Sequence, residues 1–141
     1  MIRAWAANGP KQKLERIDYD PGELGPEEVE IAVEHCGICH SDLSVIQDDW
    51  GVSTYPLIPG HEAVGRVTAL GAAAKGLSIG QKVGVGWSAG SCLHCRQCLS
   101  GDQHLCAESV ATILGHNGAF ADRVRAQWAW VIPLPENLDM R

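Results

Sequence analysis

Apolar and polar residues alternate along Val29-Glu30-Ile31-Ala32-Val33-Glu34-His35, and less strictly along Ala63-Val64-Gly65-Arg66-Val67-Thr68-Ala69-Leu70. A two-residue period sends successive side chains to opposite faces of an extended chain, so both segments are predicted to be half-buried strands. Gly118-Ala119-Phe120-Ala121-Asp122-Arg123-Val124 and Ala129-Trp130-Val131-Ile132 carry the same strand-like patterning further on. Pro21-Gly22, Gly25-Pro26, Pro56, Pro59-Gly60, Gly71, Gly76, Gly80, Gly84 and Gly86 interrupt the chain too often for long helices and predict tight turns. One or two helical turns fit at Ser41 to Gln47. Between Cys92 and Cys106 the strand period gives way to a polar, sulfur-rich stretch, which reads as a lobe inserted into a β framework. Pro133-Leu134-Pro135-Glu136-Asn137-Leu138 reads as a connector to a further element, and Arg141 as a possible cut.

With 45% hydrophobic residues, 141 residues supply enough apolar material for one core, so a single domain is expected. The net charge of -6 and the scatter of the 11 basic residues argue against nucleic acid and against an anionic membrane surface. Gly9-Pro10 cuts short any signal-like apolar run, and no stretch has membrane length, which predicts a soluble, cytoplasmic protein. Four of the six cysteines fall within fifteen positions, a spacing that favours metal thiolates over disulfides in such a compartment.

Cys92-x2-Cys95-x2-Cys98-x7-Cys106 offers four soft thiolates, the donor set of a closed tetrahedral Zn²⁺ site. A closed site leaves no position for substrate, so one structural zinc is expected here, holding together a lobe too polar to fold by burial. Two disulfides or unrelated buried thiols are the plainer alternative. His94 and His104 lie among the ligands and are expected to be exposed loop residues.

A second grouping joins Cys36-Gly37-Ile38-Cys39-His40-Ser41-Asp42 to Gly60-His61-Glu62. Cys36-x2-Cys39 invites a redox reading, but the strand-to-helix βαβ context such pairs need is missing from this glycine-punctuated sequence. His61 alone could be a satisfied buried histidine. Alternatively Cys39 and His61 are metal donors, with Asp42 orienting the imidazole.

Cys36-Gly37-Ile38-Cys39-His40-Ser41-Asp42-Leu43, Tyr55-Pro56-Leu57-Ile58-Pro59-Gly60-His61-Glu62 with Gly65 and Gly71, the four-cysteine stretch and Gly118-Ala119-Phe120-Ala121-Asp122 occur in one order and spacing. In this the chain resembles the zinc-containing medium-chain alcohol dehydrogenases, most of all the cinnamyl alcohol dehydrogenase-like branch, over nearly its whole length. The resemblance implies a GroES-like, distorted and partly open β-barrel over residues 1–141, with short helices and a structural-zinc lobe at 92–106. It implies that Cys39 and His61 bind a catalytic zinc, with Glu62 as outer carboxylate or occasional ligand and Asp42 holding His61. Ser41 would bind the substrate hydroxyl and carry its proton outward, with a plain helix cap as its alternative. His40 would contact the cofactor pyrophosphate or else be an exposed loop residue. Trp50 and Trp87 would line the substrate pocket or else be core aromatics, whereas Trp5, Trp128 and Trp130 read as packing and Cys36 as a buried thiol.

The implied reaction is reversible oxidation of a small primary alcohol to an aldehyde with NAD(P). Two departures from the family stand out. Ser44 takes the place of a histidine that extends the proton relay in many relatives. The family's third catalytic zinc ligand and its Gly-rich cofactor domain lie beyond the matched segment, and no Gly-x-Gly-x-x-Gly occurs here. The isolated chain is therefore expected to bind NAD(P) poorly, to be inactive alone, and to hold one firm and one weak zinc. Any homo-oligomer is expected to form through the missing domain. The rival from another class is a standalone zinc-stabilised GroES-like binding module.

Overall fold

A computed structural model describes residues 1–140. Its elements are β1 (Ile2–Ala6), β2 (Glu15–Tyr19), β3 (Glu28–Cys36), α1 (His40–Gln47), β4 (Ala63–Leu70), β5 (Lys82–Val85), β6 (Ser88–Gly90), α2 (Arg96–Leu99), β7 (Val110–Ala111), β8 (Arg123–Gln127) and β9 (Ile132–Pro133). Short 3₁₀ turns cover Gln103–Leu105 and Trp128–Trp130. The fold is mostly β with short helices. Its main sheet has the order β8-β3-β4-β5-β9, every neighbouring pair antiparallel, and β1-β2 and β6-β7 form two small ribbons. No ladder joins β8 to β9, so this sheet is open among the described residues.

The main core lies on this sheet: Val29, Ile31, Val67, Val83, Val124 and Val131 are buried together. A second cluster, Val45 with Leu57 and Ile113, lies under α1 and ties that helix to the framework. Among the described residues no helix is long and apolar enough to cross a membrane.

The alternation in β3 does not separate a wet face from a dry one as expected. Glu30 is buried, because β8 lies beside it and brings Arg125 directly opposite. Arg123 Nη1 lies 2.6 Å from Glu30 Oε1, and Arg125 Nε lies 3.1 Å from Oε2. Arg125 also donates to the carbonyls of Pro21, Gly22 and Glu23, which pins the turn before β3. Burial opposes ionisation of Glu30, but the hydrogen bonds from Arg123 and Arg125 outweigh it and hold the carboxyl below its ordinary value.

The expected strand at Gly118–Val124 is shorter and later. Its first five residues form no continuous ladder: Gly118 N–H bonds to Ile58 O, Ala119 N–H to Gly60 O and Phe120 N–H to Pro59 O in a loop, while Asp122 N–H bonds to Arg3 O and Ala121 bridges Ala4 in β1. Likewise Trp128–Trp130 is a 3₁₀ turn, started by a bond from Trp128 N–H to Glu27 O, and the strand resumes only at Ile132. The first of these stretches braces the loop that carries His61.

Candidate functional site

Helix α1 starts directly after Cys39, and Asp42 in its first turn organises the region. Asp42 is almost wholly buried, with Oδ2 accepting the Cys39 N–H at 2.9 Å and Oδ1 accepting the Gly60 N–H at 2.8 Å. Oδ1 also lies 2.9 Å from His61 Nδ1. A carboxylate only accepts, so the neutral imidazole carries its proton on Nδ1 and keeps a lone pair on Nε2. One side chain thereby fixes the helix start, the loop 59–61 and the tautomer of a histidine.

Two glycines permit the approach. Gly60 has φ +98°, a conformation that L side chains rarely adopt, and a Cβ there would lie 2.6 Å from the backbone nitrogen of Phe120. A Cβ on Gly37 would collide with the Glu62 carboxylate, while Gly37 N–H donates to Glu62 O at 2.9 Å. Cys39, His61 and Glu62 thus present one sulfur, one nitrogen and one oxygen, all within 4.8 Å of one another. Half-buried thiol, buried imidazole and exposed carboxylate suit a metal reached from solvent on one side.

Trp87 stands edge-on to His61, with ring centroids 5.1 Å apart, and Trp50 meets Trp87 at 6.1 Å. Trp50 is 47% exposed and Trp87 39%, which removes the core-aromatic alternative for both and makes them a wall beside the donors. Ser41 is half-buried in the first turn of α1. The residue at the cap of that helix is Cys39, so the helix-cap alternative for Ser41 does not hold. His40 is exposed at the first helical position, and Ser44 is buried on the inner side of α1. Cys36 is a half-buried thiol whose pKa burial raises. Of the remaining tryptophans, Trp5 is about half exposed, Trp128 packs on the main core and Trp130 donates to Ser91 Oγ.

Pattern reading overlooked Thr112, a wholly buried residue with no motif around it. Its N–H donates to Trp87 O at 2.8 Å and its hydroxyl reaches Gly86 O at 2.6 Å and Trp87 O at 3.0 Å. Only the closure of β6 on β7 brings these segments together, so no local signal announces it.

The second cluster brings together Cys92, Cys95, Cys98 and Cys106 with all four sulfurs within 4.8 Å, and none of them is in a disulfide. Cys92 Sγ lies 3.6 Å from Cys106 Sγ and 3.9 Å from Cys98 Sγ. A tetrahedron with Zn–S bonds of about 2.3 Å has edges of about 3.8 Å, so the donor set fits Zn²⁺. Backbone N–H groups of Cys95, Cys98 and Glu108 point at the sulfurs of Cys92, Cys95 and Cys106. The backbone N–H of His94, and then that of Cys95, draw the Cys92 thiol down to about 6, against an ordinary 9.0. Both His94 and His104 are exposed.

Residues 25–136 match the family model of the alcohol dehydrogenase GroES-like domain. An aldehyde reductase of Synechocystis sp. is 51% identical over 99% of the chain and 42% of its own length. Cinnamyl alcohol dehydrogenase 7 of Arabidopsis thaliana is 42% identical over 96% of the chain and 40% of its own length. Among solved structures, a cinnamyl alcohol dehydrogenase of Sorghum bicolor superposes with a TM-score of 0.91 at 34% identity, over 99% of this chain and 42% of its own. One from Helicobacter pylori, complexed with NADP(H), gives 0.92 at 27%, over 99% and 43%. The chain spans about two fifths of the length of these relatives. It belongs to the alcohol dehydrogenase GroES-like domain family of medium-chain dehydrogenases, among relatives of the cinnamyl alcohol dehydrogenase-like branch.

Proposed function

We propose that this chain is the zinc- and substrate-binding part, a GroES-like partly open β-barrel, of an NAD(P)-linked alcohol dehydrogenase acting reversibly on small primary alcohols and aldehydes. The observation that carries this reading is the convergence of Cys39, His61 and Glu62, with Asp42 on the far nitrogen of the imidazole. The names of the relatives, an aldehyde reductase and cinnamyl alcohol dehydrogenases, support the substrate class, and the NADP(H) of one of them supports the cofactor class. Six free cysteines suit a reducing, cytoplasmic setting.

Cys39 and His61, with Glu62, would hold the catalytic metal, and Cys92, Cys95, Cys98 and Cys106 the structural one in the lobe 92–106. Bound at the first site, Zn²⁺ supplies Lewis acidity towards an alcohol or aldehyde oxygen. The protein's own part is positional. Asp42 keeps His61 Nε2 free to donate, and Trp50 with Trp87 narrows the approach and keeps water off the reacting carbon. Ser41 Oγ takes the proton of the substrate hydroxyl and releases it outward; Ser44 is buried, so water or cofactor carries the proton further. His40, exposed at the start of α1, would contact the pyrophosphate of the cofactor. The nicotinamide cofactor belongs to a domain outside these residues, so the 141-residue chain alone is expected to show no NAD(P)-linked turnover.

Zinc content tests the reading directly. Two ions per chain, or one firm and one easily chelated, are expected. Cys39→Ser should abolish the weaker ion and leave the lobe's ion in place. In the protein as its cell makes it, Cys39→Ser should also abolish primary-alcohol oxidation. Full oxidation by a Cys39→Ser, His61→Ala variant would sink the proposal.

A further inference from the structure

Cys92 belongs to two donor groups. Besides its three cysteine partners, it shares a cluster with His94 and Glu108, whose ligand atoms all lie within 4.8 Å of one another. The two groups differ in access. Cys98 and Cys106 are buried, Cys92 and Cys95 half-buried, and His94 and Glu108 exposed, so burial deepens from the second group into the first. A cavity of about 420 Å³ has Cys92 and Glu108 in its lining, together with Ser91, His116 and Gln127.

The two outer donors are also held close to the inner ones. His94 Nδ1 lies 2.8 Å from the Cys92 carbonyl oxygen, and the Glu108 N–H donates to Cys106 Sγ at 3.4 Å. A four-thiolate site has no free position, so an entering ion must exchange its water ligands one at a time for sulfur. Capture by an exposed imidazole and carboxylate that share one thiolate with the final site allows that exchange without releasing the ion.

We propose that Cys92, His94 and Glu108 form an entry station for Zn²⁺, which captures the ion and passes it to Cys95, Cys98 and Cys106 with Cys92 as the common ligand. The exchange is redox-neutral: imidazole and carboxylate leave the ion as each thiolate, having lost its proton to solvent, binds. This inference rests on the reading of the four cysteines as a zinc site and adds a route to it. A station on the path lowers the barrier in both directions while leaving the end states unchanged.

The test uses the zinc-loaded chain. Zinc release is followed with a chromophoric chelator and extrapolated to zero chelator, for the parent protein, for His94→Ala with Glu108→Gln, and for His104→Ala as a control on the same lobe. The double variant is expected to release and reload zinc at least about tenfold more slowly, with an unchanged dissociation constant, while His104→Ala matches the parent. Faster release with weaker affinity would make His94 and Glu108 supports of the resting site and overturn the proposal, as would unchanged rates. A Cys92→Ser chain that keeps the lobe's full zinc would instead sink the four-cysteine reading, so the two failures are distinct.

Discussion

Asp42 is the residue on which the candidate catalytic region depends most. Its two oxygens accept the Cys39 N–H, the Gly60 N–H and the His61 Nδ1–H, three donors from two segments of the chain, in an almost dry environment. Each donor left unsatisfied there costs about 1–3 kcal/mol, so Asp42→Ala is expected to destabilise the fold by at least about 3 kcal/mol in urea unfolding. Asp42→Asn retains the volume but offers one oxygen to three donors, and should fall between the parent and Asp42→Ala. A loss under about 1 kcal/mol for Asp42→Ala would mean that water replaces the carboxylate. Glu30 makes a separate residue-level prediction. Its carboxyl is lower in the folded protein than its ordinary 4.5, so its stabilising effect is complete above that value and is lost as pH falls through the lower folded value. Glu30→Gln should flatten the acid limb of a stability-pH curve. It should also cost about 2 kcal/mol at neutral pH, since Arg125, only 14% exposed, loses its hydrogen-bonded carboxylate and keeps only Glu28, 3.9 Å away, as an acidic partner.

At the scale of elements, Thr112 shows how one strand ribbon positions a side chain elsewhere. The pairing of β6 with β7 brings Thr112 under Gly86 and Trp87, and its hydroxyl holds the backbone from which the Trp87 indole reaches His61. Thr112→Val keeps the shape but leaves the Gly86 carbonyl without that donor. It should cost about 1–2 kcal/mol and alter the near-ultraviolet circular dichroism of the Trp50–Trp87 pair. An unchanged aromatic spectrum would show that packing alone holds Trp87. The same scale explains how legible the fold was. β4 spans Ala63–Leu70 as its pattern predicts, and α1 begins one residue before the expected Ser41, because these elements follow their local period. β1 was not predicted: Ile2, Ala4 and Ala6 point inward in turn, but Trp5 on the outer face blurs the apolar period, and the strand is fixed by β2 on one edge and residues 120–122 on the other. Gly118–Asp122 looked like a strand, yet its backbone partners are divided among the loop 58–60, β1 and β3, with a single isolated bridge from Ala121 to Ala4 and no continuous ladder, a non-local fact that no period contains. Of the candidate sites, the four cysteines of the lobe were readable from spacing, whereas Cys39, His61 and Glu62 became a donor set only through the family resemblance. Gly37 and Gly60 were visible as turn and motif glycines, but their close approaches to Glu62 and Phe120, like the whole role of Thr112, lie in distant contacts that no pattern contains.

For the whole molecule, the question is whether the four-cysteine lobe and the sheet stand or fall together. The lobe leaves and re-enters the framework between β6 and β7, whose pairing of Ser88 with Ala111 and Gly90 with Val110 closes its base. Inside that base it buries little: Leu99 is 77% exposed and Leu105 62%, and its buried residues are chiefly the sulfur-bearing Cys98 and Cys106. Burial of roughly 25 cal/mol per Å² cannot hold such a loop, so its order has to come from the metal. The main sheet has its own core in Val29, Ile31, Val67, Val83 and Val124, which needs nothing from the lobe. Stripping zinc, or Cys106→Ser, should therefore release backbone amides from about residue 92 to 109 to rapid hydrogen exchange while β3, β4 and β5 keep their protection. Loss of protection in all of these strands at once would show the lobe and the sheet to be one cooperative unit. If instead the lobe alone opens, Trp130, whose indole donates to Ser91 at the lobe's edge, should change its fluorescence in step with zinc loss and well before the main sheet melts.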